Sequence, residues 1–192
     1  MNSDTGHKIK ARTDGNDVFI TPRKLAQMHI AMIEDAGYTD DCCKWLDPCK
    51  NNGSYYDQFP EGQPKVWCEI LDGKDFYDYK QSPHKSCHDG RDARAQTGVI
   101  IGNPPYSILD DWLKHTCEIN PDCFSYLIGQ GALTTRRMEM IEKAGYSITR
   151  LHLTKVFKWY GMSYIVVCEK MWPGRTAADY PTQLTYDRTV WR

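Results

Sequence analysis

Val99-Ile100-Ile101-Gly102-Asn103-Pro104-Pro105-Tyr106 begins as three consecutive β-branched residues and ends against two consecutive prolines. A short, unbroken β-branched run bounded by a turn signal reads as a strand buried on both faces, the kind found in parallel sheets. It cannot continue past Gly102, because proline has no N–H for the ladder and fixes φ. The prolines make a stiff corner that holds Asn103 in one orientation at the strand's carboxyl end. The Asn103 amide oxygen is a hydrogen-bond acceptor, and its own or a neighbouring backbone carbonyl supplies another. Two acceptors aimed at one point suit the two hydrogens of an exocyclic NH2 group, and Tyr106 offers a flat ring on which a base stacks. A bare strand-ending turn or a disordered Pro-Pro-Tyr ligand motif is the plain alternative; the buried strand in front argues against both.

Outward from this corner the chain alternates strands and helices. Thr21-Pro22 reads as an N-cap with proline in the first turn, and Leu25, Met28, His29, Met32 and Ile33 recur at helical spacing until Gly37. Lys44-Trp45-Leu46 and Val66-Trp67-Cys68-Glu69 read as strands, and Gly73-Lys74-Asp75-Phe76 as a further strand-to-loop junction, which makes the strand at Val99 the fourth. Ile108, Leu109, Trp112 and Leu113 give a helix face. Phe124–Ile128 is a strand, Arg137–Ala144 a helix stopped by Gly145, and Ile148–Leu153 with Tyr164–Glu169 a closing antiparallel ribbon. Lys80–Gln96 is a polar loop long enough to suggest a function, and little pattern follows Trp172. The alternation predicts an open, mainly parallel α/β sheet, whose ligand crevice lies at the carboxyl ends of the strands. Asp47–Gly53, Glu69 and Asn103–Tyr106 all follow strands, so they converge on one edge.

Composition narrows the function classes. A chain of 192 residues buries roughly 70% of its unfolded surface, enough for one core. Hydrophobic residues at 41% and charged residues at 26% exclude a disordered chain. No apolar run approaches the about 18 residues that span a bilayer, so no membrane association is expected. The formal net charge of −1 hides an asymmetry: residues 1–96 carry 13 basic and 16 acidic side chains, and residues 130–192 carry 10 and 5. A basic C-terminal third suggests an anionic partner on one face. The eight cysteines include Cys68, Cys123 and Cys168 inside apolar stretches, which suits reduced core thiols better than a disulfide framework. His84-Lys85-Ser86-Cys87-His88 has ligand-like spacing, but no CxxC pair accompanies it, and no metal is expected.

Asn103-Pro104-Pro105-Tyr106 resembles the catalytic motif of the S-adenosylmethionine-dependent amino-methyltransferases, above all the DNA adenine-N6 enzymes. The resemblance spans roughly Phe19 to Lys170. It implies a Rossmann-like methyltransferase fold: α/β, a mainly parallel seven-stranded sheet with a C-terminal antiparallel hairpin, and helices on both faces. Residues 18–171 would form the methyltransferase domain, between a flexible segment at 1–17 and a tail at 172–192. By the same resemblance Asn103, Pro104, Pro105 and Tyr106 are catalytic. Asn103 and the Pro104 carbonyl accept from the adenine amino group, and Tyr106 stacks on the flipped ring, which must leave the duplex to be reached.

The cofactor residues implied for S-adenosylmethionine follow in motif order. Phe19, Thr21 and Pro22 resemble the N-terminal motif that covers the methionine moiety. Asp47-Pro48-Cys49-Lys50-Asn51-Asn52-Gly53 resembles Asp-Pro-x-x-Gly-x-Gly, with Asn51 at the first glycine position; Asn is the non-glycine residue best tolerated at positive φ. Glu69 stands where a carboxylate binds ribose hydroxyls, and Asp75-Phe76 resembles the adenine-binding pair. Downstream, Phe157 is the first choice to sandwich the base, with Trp159 or Tyr160 as alternatives, and Arg136 and Arg137 are placed to meet phosphates. About twenty residues follow Lys170, fewer than a target-recognition domain needs. Recognition of double-stranded DNA is therefore expected from internal loops or from a protein partner or second copy, or else specificity is low. The expected setting is the cytoplasm of a bacterium or a virus-infected host cell, with nucleoid association when DNA is bound. RNA adenine, protein glutamine and a catalytically silent partner subunit are the competing readings.

Overall fold

The computed structural model describes residues 19–39, 43–80, 97–158 and 161–191. The segment read as flexible at 1–17, the polar loop after Lys80 with its His84–His88 cluster, and the aromatic candidates Trp159 and Tyr160 lie outside the described residues. In chain order the elements are α1 (Arg23–Asp35), β1 (Lys44–Asp47), β2 (Lys65–Trp67), β3 (Thr97–Gly102), α2 (Leu109–Ile119), β4 (Cys123–Gly129), α3 (Thr135–Lys143), β5 (Tyr146–Lys155), β6 (Ser163–Lys170) and β7 (Gln183–Val190). They build one seven-stranded sheet in the order β2-β1-β3-β4-β6-β5-β7. β6 runs antiparallel to β4 and β5, and the other pairings are parallel. This is the mixed α/β sheet that the strand–helix alternation predicts.

The two-residue period of the central strands divides their side chains between two cores. On one face Trp45, Val99, Ile101, Cys123 and Leu127 pack against Leu25, Ala26, Ile30 and Ile33 of α1. On the other face Leu46, Ile100, Phe124, Tyr126 and Ile128 meet Leu109, Trp112 and Leu113 of α2 and Ile141 of α3. β3 and β4 are buried at every position, as strands covered on both sides must be. Helices thus flank the sheet on both faces, and Cys68, Cys123 and Cys168 fill the cores as small apolar residues.

Four local readings change. α1 starts at Arg23, with Pro22 rather than Thr21 at the cap and no capping side chain; the Pro22 carbonyl accepts the first helical bond, from Ala26 N–H. Thr21 is buried and its carbonyl accepts from the Ser54 hydroxyl at 2.7 Å. β2 ends at Trp67, so Glu69 lies two residues past the strand and caps a single 3-10 turn over Ile70–Asp72. Gly73–Phe76 adds no strand: an isolated bridge between Glu69 and Lys74 leads into a second 3-10 turn at Phe76–Asp78, and the Asn103 corner follows the third strand. The stretch after Trp172 contains β7, which pairs parallel to β5. Its apolar residues Leu184 and Tyr186 face solvent at 71% and 66% exposure. Its polar residues Thr185 and Asp187 grip His152 at 2.8 and 2.9 Å. Polar bonding therefore seats this strand, and hydrophobic alternation could not announce it.

A buried polar chain ties α1 to the sheet. The Ser125 hydroxyl donates to the Val166 carbonyl at 3.0 Å, so it accepts from His29 Nε2–H at 2.6 Å. The remaining ring nitrogen, Nδ1, then accepts from the Tyr55 hydroxyl at 3.0 Å. Burial pushes the His29 pKa down from 6.5 to about 3, with the charge of His152 a smaller contribution, which keeps the ring neutral as this tautomer requires. Replacing His29 by Leu leaves the Tyr55 hydroxyl buried without its acceptor, at a cost of about 1–3 kcal/mol. Because the folded pKa is lowered, the contribution of the native His29 is present above pH 6.5 and lost as the pH falls toward 3. Urea midpoints across that window should decline more steeply for the native protein than for His29→Leu.

Candidate active site

The chain leaves β1 for β2 on one flank, while β3 lies on the other. That divergence opens a crevice beyond the carboxyl ends of the strands, and the loops after β1, β2 and β3 meet there. Two carboxylates shape the β1 loop from below. Asp47 is fully buried; its Oδ1 accepts from Cys49 N–H and its Oδ2 from Tyr56 N–H, both at 3.2 Å. Burial raises its pKa from 3.8 to about 7 against the opposing pull of those two bonds. Glu69 Oε2 accepts from Asn51 N–H at 2.7 Å and Oε1 from Leu71 N–H at 3.2 Å. Asn51 takes the left-handed conformation at φ 46°, as anticipated for an asparagine in a glycine position. Gly53 follows at φ 80°, where a Cβ would also lie 2.5 Å from the Asp57 carboxylate. Gly102, at the end of β3, lets Pro48 approach: a Cβ there would stand 3.1 Å from Pro48 Cδ.

The corner after β3 is fastened to both neighbours. The Cys49 thiol donates to the Asn103 backbone carbonyl at 3.0 Å, and burial keeps that thiol protonated by pushing its pKa well up. Asn103 Nδ2 donates to the Phe19 carbonyl at 3.1 Å, which fixes the amide's orientation. Its other end, Oδ1, is buried and has no hydrogen-bond partner among the described residues. A buried acceptor without a donor costs about 1–3 kcal/mol and is rare in native proteins. Tyr106 donates to the Leu127 carbonyl at 3.4 Å, and its ring stacks on Phe19 at 5.9 Å between centroids and 23° between planes.

Two cavities meet at this corner. The larger, about 90 Å³, is lined by the β1 loop, Thr21, Tyr55, Glu69, Phe76, Trp112 and Asn103. The smaller, about 10 Å³, lies among Tyr106, Leu127, Val156 and Phe157. Among the described residues, Phe19 and Asn103 alone line both. Among the described residues no group of three or more His, Cys, Asp or Glu side chains is placed to hold a metal ion, and no helix is long and apolar enough to cross a membrane.

No protein-family model matches the chain, and no curated protein matches it in sequence. Solved structures match it in fold. A Listeria monocytogenes protein assigned to the class I S-adenosylmethionine-dependent methyltransferases superposes with a TM-score of 0.65 at 11% identity, covering 95% of this chain and 70% of the other. A Pyrococcus horikoshii protein assigned as an RNA methyltransferase gives 0.59 at 14% identity, covering 91% and 100%. The modification subunit of a type I restriction enzyme assigned in Vibrio vulnificus gives 0.53 at 10% identity, covering 94% of this chain and 53% of the subunit. At such identities what is shared is the fold. The chain has the class I methyltransferase fold.

Within this methyltransferase fold the sequence candidates divide. Phe19, Thr21, Pro48, Cys49, Asn51, Glu69, Phe76, Asn103 and Pro105 line the larger cavity. Pro22, Asp47, Gly53 and Asp75 do not: Asp47 and Gly53 shape the loop from beneath, Pro22 opens α1, and Asp75 caps a turn by accepting from Tyr77 N–H at 2.9 Å. Pro104 is buried in the corner, and Tyr106 and Phe157 line the smaller cavity. Arg137 is a structural cation here, donating to Asp110 Oδ1 and the Ala132 carbonyl, each at 2.6 Å, whereas Arg136 is mostly exposed and only 3.4 Å from the same carboxylate. Those bonds from Arg137 hold the Asp110 carboxyl below its ordinary range. Sequence reasoning missed Ser54, Tyr55, Ile70 and Trp112. Tyr55 follows the glycine motif and is reached by the Thr21 side chain and His29; Trp112 had been read as core, and its ring packs 4.4 Å from Phe76.

Because the folded pKa of Asp47 is raised from 3.8 to about 7, its protonated form contributes stability below pH 3.8 that is lost as the pH rises through 7. Asp47→Asn removes that titration and sets an amide N–H against one of two backbone donors. The variant should be less stable at low pH, and its thermal midpoint should change less across pH 7 than that of the native protein.

Proposed function

We propose that this chain transfers the methyl group of S-adenosylmethionine to the exocyclic amino group of a planar acceptor, adenine N6 in DNA first among them. The observation that carries this reading is the Asn103 amide oxygen: buried, oriented by Phe19, without a donor among the described residues, and set in the wall shared by the two cavities. An amino group arriving from the smaller cavity supplies the missing donor. The Asn103 backbone carbonyl accepts from the Cys49 thiol, and the second acceptor for the amino group is the Pro104 carbonyl, as the resemblance to the amino-methyltransferases implies. Accepting both amino hydrogens turns the nitrogen lone pair out of conjugation and toward the larger cavity, a preorganised electrostatic contribution that needs no basic side chain. Tyr106 holds the ring plane by stacking.

The larger cavity's donors and acceptors fit the cofactor. Glu69 keeps free lone pairs beside its two backbone bonds for a pair of ribose hydroxyls, Phe76 presents an apolar ring, and Thr21 and Tyr55 line the same cavity. When bound, S-adenosylmethionine supplies an electrophilic methyl on a sulfonium. DNA as the bearer of the amine is supported by the basic C-terminal third, with Arg136 exposed after Arg137 is spent on Asp110. The modification subunit among the structural neighbours works on the same fold. A protein partner or a second copy is the proposed source of sequence recognition.

Two substitutions should fail in opposite ways. Asn103→Ala is expected to abolish methyl incorporation into DNA while calorimetric affinity for S-adenosylmethionine stays within a few-fold of native. Glu69→Ala should weaken that affinity about ten-fold or more, because two hydrogen bonds to a charged acceptor go with it. Mass analysis of nucleosides from treated DNA and RNA, and of glutamines in protein, reads the acceptor. Undiminished transfer by Asn103→Ala, or no heat with the cofactor in the native protein, contradicts the reading.

A further inference from the structure

We propose that Lys50, Lys65 and Lys74, gathered on the rings of Tyr56 and Trp67, form a site for the phosphodiester backbone of a nucleic-acid strand. The inference rests on the reading that this chain acts on a nucleic acid, and it adds a contact surface apart from the basic C-terminal third. The five side chains alternate in a row. Lys74 Nζ lies 3.5 Å from the Trp67 ring centroid, and Lys50 Nζ lies 4.4 Å from the same ring and 5.7 Å from that of Tyr56. Lys65 Nζ ends the row at 4.7 Å from Tyr56. The two rings stand 6.4 Å apart at 72°. β2, which carries Lys65 and Trp67, is the edge strand at the opposite border of the sheet from β7. Lys50 also lines the larger cavity, so the row adjoins it.

The row holds positive charge that nothing nearby cancels. A carboxylate partner neutralises a lysine, whereas a ring face orients the ammonium group and leaves its charge available to an anion. Among the described residues none of the three lysines pairs with a carboxylate. Carboxylates in the same region are engaged elsewhere: Glu69 accepts from the Asn51 and Leu71 N–H groups, and Asp57 pairs with Arg23 at 3.3 Å. Lys65 and Lys74 are exposed, and Lys65 gives one N–H to the Tyr56 carbonyl at 3.2 Å. Like charges held this close repel one another inside the screening length of ordinary salt. A ligand with charges in series relieves that repulsion at each of them, and a nucleic-acid strand carries one phosphate per nucleotide. Summed charge conceals the cluster, because it stands within residues 1–96, where acidic side chains outnumber basic ones.

The test is fluorescence anisotropy of a labelled single-stranded oligonucleotide of mixed sequence, as DNA and as RNA, titrated with the full chain across salt concentrations. The arm that binds more tightly names the strand. Each phosphate contact on a single strand contributes about 0.7 to the slope of log affinity against log salt, worth about five-fold at about 0.1 M. Lys65→Gln and Lys74→Gln should each lose that much in affinity and in slope. Lys114→Gln removes an equal charge from a lysine already 3.5 Å from Asp111, and it should lose neither. Trp67→Leu should weaken binding at least as far as Lys74→Gln does, and Trp67→Phe, which keeps a ring, should restore most of it. The lysine variants carry the test if thermal unfolding shows that Trp67→Leu does not fold. Native-like affinity in either lysine variant or in folded Trp67→Leu overturns the site, as does equal competition by poly-glutamate of matched charge. Methyl incorporation and calorimetric affinity for S-adenosylmethionine on the same samples judge the methyltransferase reading separately. Transfer by a protein whose strand binding ignores these lysines sinks the site alone; lysine-dependent binding with no cofactor heat sinks that reading alone.

Discussion

The structure depends on a single constraint: three backbone turns at the ends of parallel strands must lie within hydrogen-bonding distance of one another. Parallel pairing of β1 with β2 and β3 brings their carboxyl ends level, with Asp47 opposite Trp67 and Leu46 opposite Ile100. That alone would leave three loops with unsatisfied backbone groups. Here side chains satisfy them: the buried Asp47 takes two N–H groups, Glu69 takes two more, and Cys49 closes on the Asn103 carbonyl. The rigidity of the corner is shared between its prolines and these neighbours. Asn103 Oδ1, buried and without a donor among the described residues, stands out against that background.

The polar network beneath the crevice extends the same logic inward. Tyr55 lines the larger cavity and is held by His29, which is held by Ser125, which is held by the backbone of β6. The cavity wall is therefore tied to the sheet by buried hydrogen bonds, and burial keeps His29 neutral. A site assembled in this way is preorganised before any ligand binds, which is what transfer between two positioned groups requires.

How much of this was legible in the sequence depended on whether a residue's role was local or tertiary. The Val99–Ile101 strand, the proline corner and the face of α1 are local patterns, and they form where their periodicity and turn chemistry put them. Asn51 at positive φ was readable because few other side chains tolerate that conformation. The misreadings are tertiary. Thr21 looks like a cap in sequence, yet folding turns it into the cavity wall beside Tyr55. Arg137 looks free until α2 brings Asp110 to it. β7 escaped because its apolar residues point to solvent while Thr185 and Asp187 do the pairing with His152. Motif position places Phe19 over the cofactor; its ring contacts with Tyr106 and Phe157 are tertiary and carry no local signal.

A crystal structure of the protein with S-adenosylhomocysteine and an adenine-bearing oligonucleotide tests the central claim most directly. The account predicts the adenine amino nitrogen within ordinary hydrogen-bond reach of Asn103 Oδ1 and the Pro104 carbonyl, with the cofactor's sulfur across the shared wall. An adenine bound elsewhere, with Asn103 Oδ1 still lacking a donor or the larger cavity empty of cofactor, contradicts it.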